Sequence, residues 1–275
     1  MAMDFKSETD VKDYVERLGI EYRFGCYSEK KPEGEIEIRI NSVTKKMITK
    51  NILVCHLLGD YLESIKKDFE KASKVYRSNC DDYGYGKSCL KFGHYSFLGK
   101  GKASSNDKGD PKQAHKYYER GCDLKDGDCC LHSGLLMVSK SMSNCVERDV
   151  AKGFESLTKS CKMDNATACF YISGMHISGV LKTDRPGNPP AKDEKIDPSE
   201  YIVQKDMKKA FDYAARACEL NNMYACANLS QMYQRGDGTD KNDKKAEQFK
   251  KKALEMQEAL KKQQAELKFQ QGLPE

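Results

Sequence analysis

The residues that could do chemistry in this 275-residue chain are its twelve cysteines, at positions 26, 55, 80, 89, 122, 129, 130, 145, 161, 169, 218 and 226. Thiols form disulfides, hold soft metals or act as nucleophiles, and spacing discriminates among these roles. No C-x-x-C is present, which argues against a thioredoxin-type redox pair and against a zinc ribbon. Four pairs recur instead: Cys80/Cys89, Cys122/Cys130, Cys161/Cys169 and Cys218/Cys226, with separations of 9, 8, 8 and 8 residues. A metal site would need further ligands at regular offsets, and His94, His115, His132 and His176 fall in four different slots of this pattern.

The elements that position the cysteines are legible from the same register. First members of successive pairs lie 42, 39 and 57 residues apart, and a period near ~40 is the signature of a helical repeat array. Eight positions before the first cysteine stand Ala72, Ala114, Gly153 and Ala210; four before it stand Tyr76, Tyr118, Leu157 and Ala214. These share one helical stripe, with a small residue where a neighbouring helix approaches. Four positions after the second cysteine stand Gly93, Gly134, Ser173 and Ser230, again small. Ten after it stand Gly99, Lys140, Gly179 and Gly236, so three of the four second helices carry the glycine expected at a helix end. Each unit reads as a helical hairpin, the first cysteine closing helix A and the second opening helix B. That geometry brings the pair within the ~4.4–6.8 Å Cα separation a disulfide requires. Buried helix-end cysteines acting as small hydrophobes are the other reading of the same spacing.

The motifs carried by these hairpins resemble the Sel1-like repeat family. Asn228-Leu-Ser-Gln-Met-Tyr-Gln-Arg-Gly236-Asp-Gly238 followed by Lys244-Lys-Ala246 carries the likeness, which recurs from Phe92-Gly93 through Gly99-Lys-Gly101 into Lys112-Gln-Ala114. Ser230 replaces the usual glycine and Ser96 the usual tyrosine. More narrowly, Cys26-Tyr27, Leu58-Gly-Asp-Tyr-Leu-Glu-Ser-Ile65, Asn79-Cys80 and Ala225-Cys226-Ala-Asn-Leu-Ser-Gln-Met-Tyr233 are similar to the cysteine-rich eukaryotic members. That resemblance implies an assembly factor for respiratory complex IV, located in the mitochondrial intermembrane space. It also implies protein partners in complex assembly and in the disulfide-relay import machinery. The family pattern further pairs Cys26 with Cys55, across about twenty extra residues that include the strand-like Gly34-Glu-Ile-Glu-Ile-Arg-Ile40. A loop peculiar to this lineage and a misread coding segment both fit this insert.

Composition narrows the function further. Charged residues make up 32% and hydrophobic ones 39%, with a net charge of +5 and a mean hydropathy of −0.76. The most apolar stretch, Ile52 to Leu58, is too short to span a bilayer. A charge of +5 spread over the chain is no footprint for nucleic acid. The first ten residues lack the apolar run of a secretory signal and the Arg-rich pattern of a matrix presequence.

The expectation is therefore an all-α solenoid of about five disulfide-stapled α/α-hairpins. Residues 1–32 carry the N-terminal helix, 33–54 an inserted loop, 55–240 the repeats and 241–275 a C-terminal capping helix and tail. A loop rich in proline, 182–205, interrupts the repeats. Cys129 and Cys145 remain as spare thiols, either structural or redox-active. Tyr95, Tyr117 and Tyr213 are candidate partner contacts on a concave face. No Ser/His/Asp set, phosphate loop or H-E-x-x-H is present, so no enzyme and no cofactor are expected. The alternatives are a cytosolic adaptor with reduced thiols, or a haem-handling or thiol-redox factor of the same pathway.

Overall fold

The computed structural model describes residues 8–27, 42–101, 108–139, 146–182 and 197–270. These form α1 (Glu8–Tyr27), α2 (Ser42–Ser64), α3 (Phe69–Asp81), α4 (Gly86–Leu98), α5 (Pro111–Asp123), α6 (Gly127–Val138), α7 (Val150–Lys162) and α8 (Ala166–Ser178). A short ribbon of β1 (Val180–Leu181) and β2 (Tyr201–Val203) follows, then α9 (Met207–Glu219), α10 (Met223–Arg235) and α11 (Asp243–Gln270). Contacts divide the chain into two compact units, Met1–His132 with Ser141–Val146, and Ser133–Lys140 with Glu147–Glu275.

The A helices α3, α5, α7 and α9 start in the same way. Asp68, Asp110, Asp149 and Asp206 accept from the amides of Lys71, Gln113, Lys152 and Lys209 at 2.9–3.0 Å. Such a cap satisfies an orphan amide and complements the helix dipole, for about 1 kcal/mol each. Three B helices repeat the device: Asp126, Asn165 and Asn222 accept from Cys129, Ala168 and Ala225. The residue before each B cap is left-handed, at φ 64° for Gly84, 63° for Lys125, 61° for Asp164 and 65° for Asn221. Its amide returns to the carbonyl of the first cysteine of its pair at 2.9–3.1 Å. The same turn, four residues long in three units and one residue longer between Cys80 and Gly84, thus fixes where helix B begins relative to helix A.

Helix B then packs on the next helix A through the small position of the register. A methyl at Gly59 would overlap the Tyr76 ring, and one at Gly93 the Tyr118 ring. Where the slot holds serine, its hydroxyl donates to a carbonyl of the facing helix: Ser173 to Ala210 at 2.7 Å, Ser230 to Ala246 at 2.8 Å. The core between helices is correspondingly small-to-large, with Ala72, Tyr76, Leu157, Ile172, Ala210 and Leu229 almost wholly buried.

Three details differ from the sequence reading. First, α2 begins at Ser42, inside the 33–54 segment read as an inserted loop. It starts 13 residues before Cys55, whereas α4, α8 and α10 start three before theirs. The added residues therefore extend a helix, and the strand-like 34–40 stretch lies outside the described residues. Second, the 182–205 segment is structured at both ends. Val180 pairs antiparallel with Val203 and Leu181 with Tyr201, Val203 is buried, and the Gln204 carbonyl lies 3.1 Å from His176 Nδ1. Residues 183–196, with Pro186, Pro189 and Pro190, lie outside the description; Pro198 opens a 3-10 turn. Third, Gly99 and Gly236 close their helices in the left-handed conformation, but Gly179 has φ 71° and ψ 158° and feeds β1 instead.

Candidate functional site: a disulfide spine and the grooves beside it

The structure joins the five expected pairs. Cys80–Cys89, Cys122–Cys130, Cys161–Cys169 and Cys218–Cys226 are bonded at Cα separations of 4.9, 4.5, 4.8 and 4.7 Å. Cys26–Cys55 is bonded at 4.7 Å, within a core that α1 and α2 share around Leu58 and Tyr61. Eight of these cysteines besides Cys26 and Cys122 are at most 2% exposed, so the Cys80–Cys89, Cys161–Cys169 and Cys218–Cys226 bridges sit away from solvent reductants.

Cys129 is a free thiol and fully buried. It fills the slot that is Ser88, Ala168 or Ala225 in the other units, one residue before the second cysteine. Gly121 leaves room for its sulfur, which lies 3.6 Å from the Gly86 carbonyl. Burial, then the charge of Asp126, pushes its pKa well above the ordinary thiol value. A neutral, enclosed thiol is a poor nucleophile, so Cys129 acts as a small core residue. Cys145 lies outside the described residues.

A polar cluster that the cysteine register did not nominate joins α2, α3 and α4. The Tyr76 hydroxyl is shared between Asp60 at 2.6 Å and Glu63 at 3.1 Å. Lys91 donates to Glu63 at 2.9 Å and lies 3.5 Å from Asp60, and Lys100 donates to Glu63 at 3.4 Å while resting 4.0 Å over the Phe69 ring. Burial pushes the Glu63 carboxyl upward, but the hydrogen bond and charge of Lys91 outweigh it and hold it below the usual range. Behind this cluster His56 Nδ1 meets Ser88 Oγ at 2.9 Å, and Asn79 donates to the same oxygen at 2.8 Å. Tyr95 and Tyr117, read as partner contacts, are buried in this core at 2% and 6% exposure. Only Tyr213 is partly open, stacked on His176 at 5.8 Å.

His94 and His132 touch edge to face with 4.7 Å between ring centroids, and Tyr118 stacks on His132 at 5.2 Å. Burial lowers the pKa of both imidazoles. Among the described residues no group of three or more His, Cys, Asp or Glu is placed to hold a metal ion.

Each of the two compact units carries a groove. One, of about 540 Å³, lies between α1 and α3 with Leu58, Tyr61 and Leu62 as its floor and Arg23, Lys66, Lys71 and Lys74 on its rim. Asp68 is the single acid in that lining. The other, of about 650 Å³, lies between α10 and α11 and includes Tyr224, Ala227, Ala246, Ala253 and Leu254. No described helix is long and apolar enough to cross a membrane.

Comparison with known proteins agrees with this architecture. The Sel1 repeat model matches residues 85–126, 199–222 and 224–257. The chain is 61% identical over 284 residues to a cytochrome c oxidase assembly factor 7 homolog of Drosophila melanogaster, covering 99% of this chain and 98% of that protein. It is 32% identical to cytochrome c oxidase assembly factor 7 of Xenopus tropicalis over 97% of both chains, and 31% identical to that of Homo sapiens over 92% of both. Among solved structures, a Sel1 repeat protein from Oxalobacter formigenes superposes with a TM-score of 0.58 at 18% identity, covering 91% of each chain. An uropathogenic Escherichia coli protective antigen with an SLR fold gives 0.55 at 16% identity, over 89% of this chain and 47% of that one. The register, the staples and this full-length identity place the chain in the Sel1 repeat family, as a homologue of cytochrome c oxidase assembly factor 7.

Proposed function

We propose that the chain is a non-enzymatic assembly factor for respiratory complex IV, working in the mitochondrial intermembrane space as an oxidised, disulfide-stapled scaffold for protein clients. The observation that carries this reading is the set of five disulfides in a full-length homologue of an assembly factor. Disulfides persist in oxidising compartments and are rare where glutathione keeps thiols reduced. Oxidation by the disulfide relay would then retain the chain in that compartment.

The groove between α1 and α3 is the surface that suits a client. Its floor is apolar and its rim carries Arg23 with Lys66, Lys71 and Lys74, whose ammonium groups Glu16, Asp68 and Glu70 already meet; an acidic segment bearing a bulky apolar side chain would compete for these solvent-screened pairs. The test is depletion of the protein followed by native-gel measurement of assembled complex IV. The expected result is loss of complex IV, restored by the wild-type chain and not by a Lys66→Glu/Lys74→Glu variant. Disulfide mapping of the intermembrane-space fraction should recover all five bridges. Unchanged complex IV on depletion, or a reduced protein confined to the cytosol, would overturn the reading.

A further inference from the structure

The groove between α10 and α11 is the place where the repeat lacks a helix. In the unit before it, α10 lies against both of its predecessors: it is bonded to α9 through Cys218–Cys226, and its Tyr224 ring stands 6.1 Å from Phe170 of α8. The chain then begins another A helix by the same rules. Asn242 caps α11 by accepting from Lys245 at 3.0 Å, and the Ala246 carbonyl receives Ser230 as Ala210 receives Ser173. Twelve residues after the cap, where Cys218 follows Asp206, stands Leu254. At that point α3, α5, α7 and α9 each turn back into a B helix, but α11 continues to Gln270. The slot a further B helix would fill is the groove of about 650 Å³, and every residue from Gln257 to Leu267 on the protruding part of α11 is exposed.

We propose that this slot is filled by α11 of a second copy, packed antiparallel about a two-fold axis. The stripe of α11 that lines the groove carries Asp243 and Glu247 near its start, with Lys250 one turn on and 3.7 Å from Glu247. The same stripe continues at helical spacing through Leu260 and Lys261 to Leu267. Antiparallel pairing therefore sets Lys261 against the two acids at the start of the stripe, whereas parallel pairing sets acid against acid and lysine against lysine. One register satisfies both parts of the stripe. With Leu260 against Ala246 of the second copy, Ala253 meets Ala253 at the axis, where a small residue lets helices approach, and Lys261 falls between Asp243 and Glu247. Leu260 and Leu267, 46% and 49% exposed, then enter an interface that is isologous and closed.

The test is sedimentation of the full, oxidised chain over a wide concentration range. The expected result is a weight-average mass rising from one chain to two and no further. Leu260→Glu abolishes the rise, and Lys261→Glu weakens self-association at least about tenfold. Both residues are exposed, so circular dichroism and melting of the variants match wild type. Combining Lys261→Glu with Glu247→Lys restores association, which a contact with some other protein would not predict. A chain that stays monomeric at every concentration, including one whose slot binds a helix of another protein, overturns the proposal. So does a dimer that is indifferent to Leu260→Glu.

Discussion

The Ser173 hydroxyl donates to the Ala210 carbonyl in the slot where, two units earlier, Gly93 meets the Tyr118 ring. Both residues stand four positions after the second cysteine of their unit, and both face the next A helix. A bare backbone admits an aromatic ring; a hydroxymethyl group satisfies a carbonyl, and the facing residue shrinks to Ala214. The two halves of each contact are therefore chosen together.

Gly93→Ala is expected to destabilise the protein by about 1–3 kcal/mol, because the added methyl overlaps Tyr118 and a packed interior yields only by straining rotamers or backbone. Gly174 supplies the control. It lies within α8 with nothing within 4 Å of an added methyl, so Gly174→Ala should gain about 0.5–1 kcal/mol from helix propensity. Denaturant unfolding under non-reducing conditions measures both, and equal effects at the two sites would refute this packing account.

The cysteine register was legible in the sequence because a covalent staple tolerates no drift between its two positions. The cap register was equally periodic: Asp68, Asp110, Asp149 and Asp206 all stand twelve residues before a paired cysteine. Comparing that column would have located the helix starts. The β1–β2 ribbon was not legible, since Val180 and Val203 are joined only across an intervening segment and neither strand exceeds three residues. The exposure of Tyr95 and Tyr117 depended on how α4 and α5 rotate against their neighbours, which spacing alone does not specify. The polar cluster around Glu63 was hidden for a related reason. Its members come from α2, α3, α4 and the residue pair after α4, at offsets that no single repeat unit contains.

Cys161→Ser is expected to lower stability by about 2.5 kcal/mol, the loop-closure entropy of so short a loop, with strain subtracted. The loss should be local. Amide exchange should accelerate in α7 and α8 ahead of α2 through α4, and proteolysis should first appear near the altered hairpin. A variant with wild-type melting and exchange would deny the bridge its structural role.

Thiol counting separates staples from spares. Denatured but unreduced protein should react at two cysteines, Cys129 and Cys145, and a Cys145→Ser variant at one. Native Cys145→Ser protein should react at none on the timescale of labelling, because Cys129 is enclosed and its thiolate is disfavoured. Cys129→Ala should fold normally, as Ala168 and Ala225 already occupy the equivalent slot. Rapid labelling of native Cys129 would mean that α6 opens far more readily than its packing allows.

Acid should weaken the fold in two separate steps. His94 and His132 are held below the ordinary imidazole pKa of 6.5, chiefly by burial. The unfolded chain therefore binds their protons first as pH falls, so their contribution is intact above about pH 6.5 and declines as pH drops toward the folded values. Glu63 titrates lower than an ordinary carboxyl because Lys91 outweighs its desolvation. Its contribution is intact above about pH 4.3 and is lost only as pH falls further, toward the folded value. Unfolding free energies measured across this range should show both declines. His132→Phe should flatten the upper one and spare the lower, while Lys91→Met should flatten the lower one and, because its charge also lowers His94, shrink the upper one in part. The separation matters because one step reports neutral rings buried by packing and the other a carboxylate kept charged by its partner. A single decline abolished equally by either substitution would merge the two clusters into one titrating system, whereas burial as the chief cause at His94 and His132 and Lys91 as the cause at Glu63 call for two.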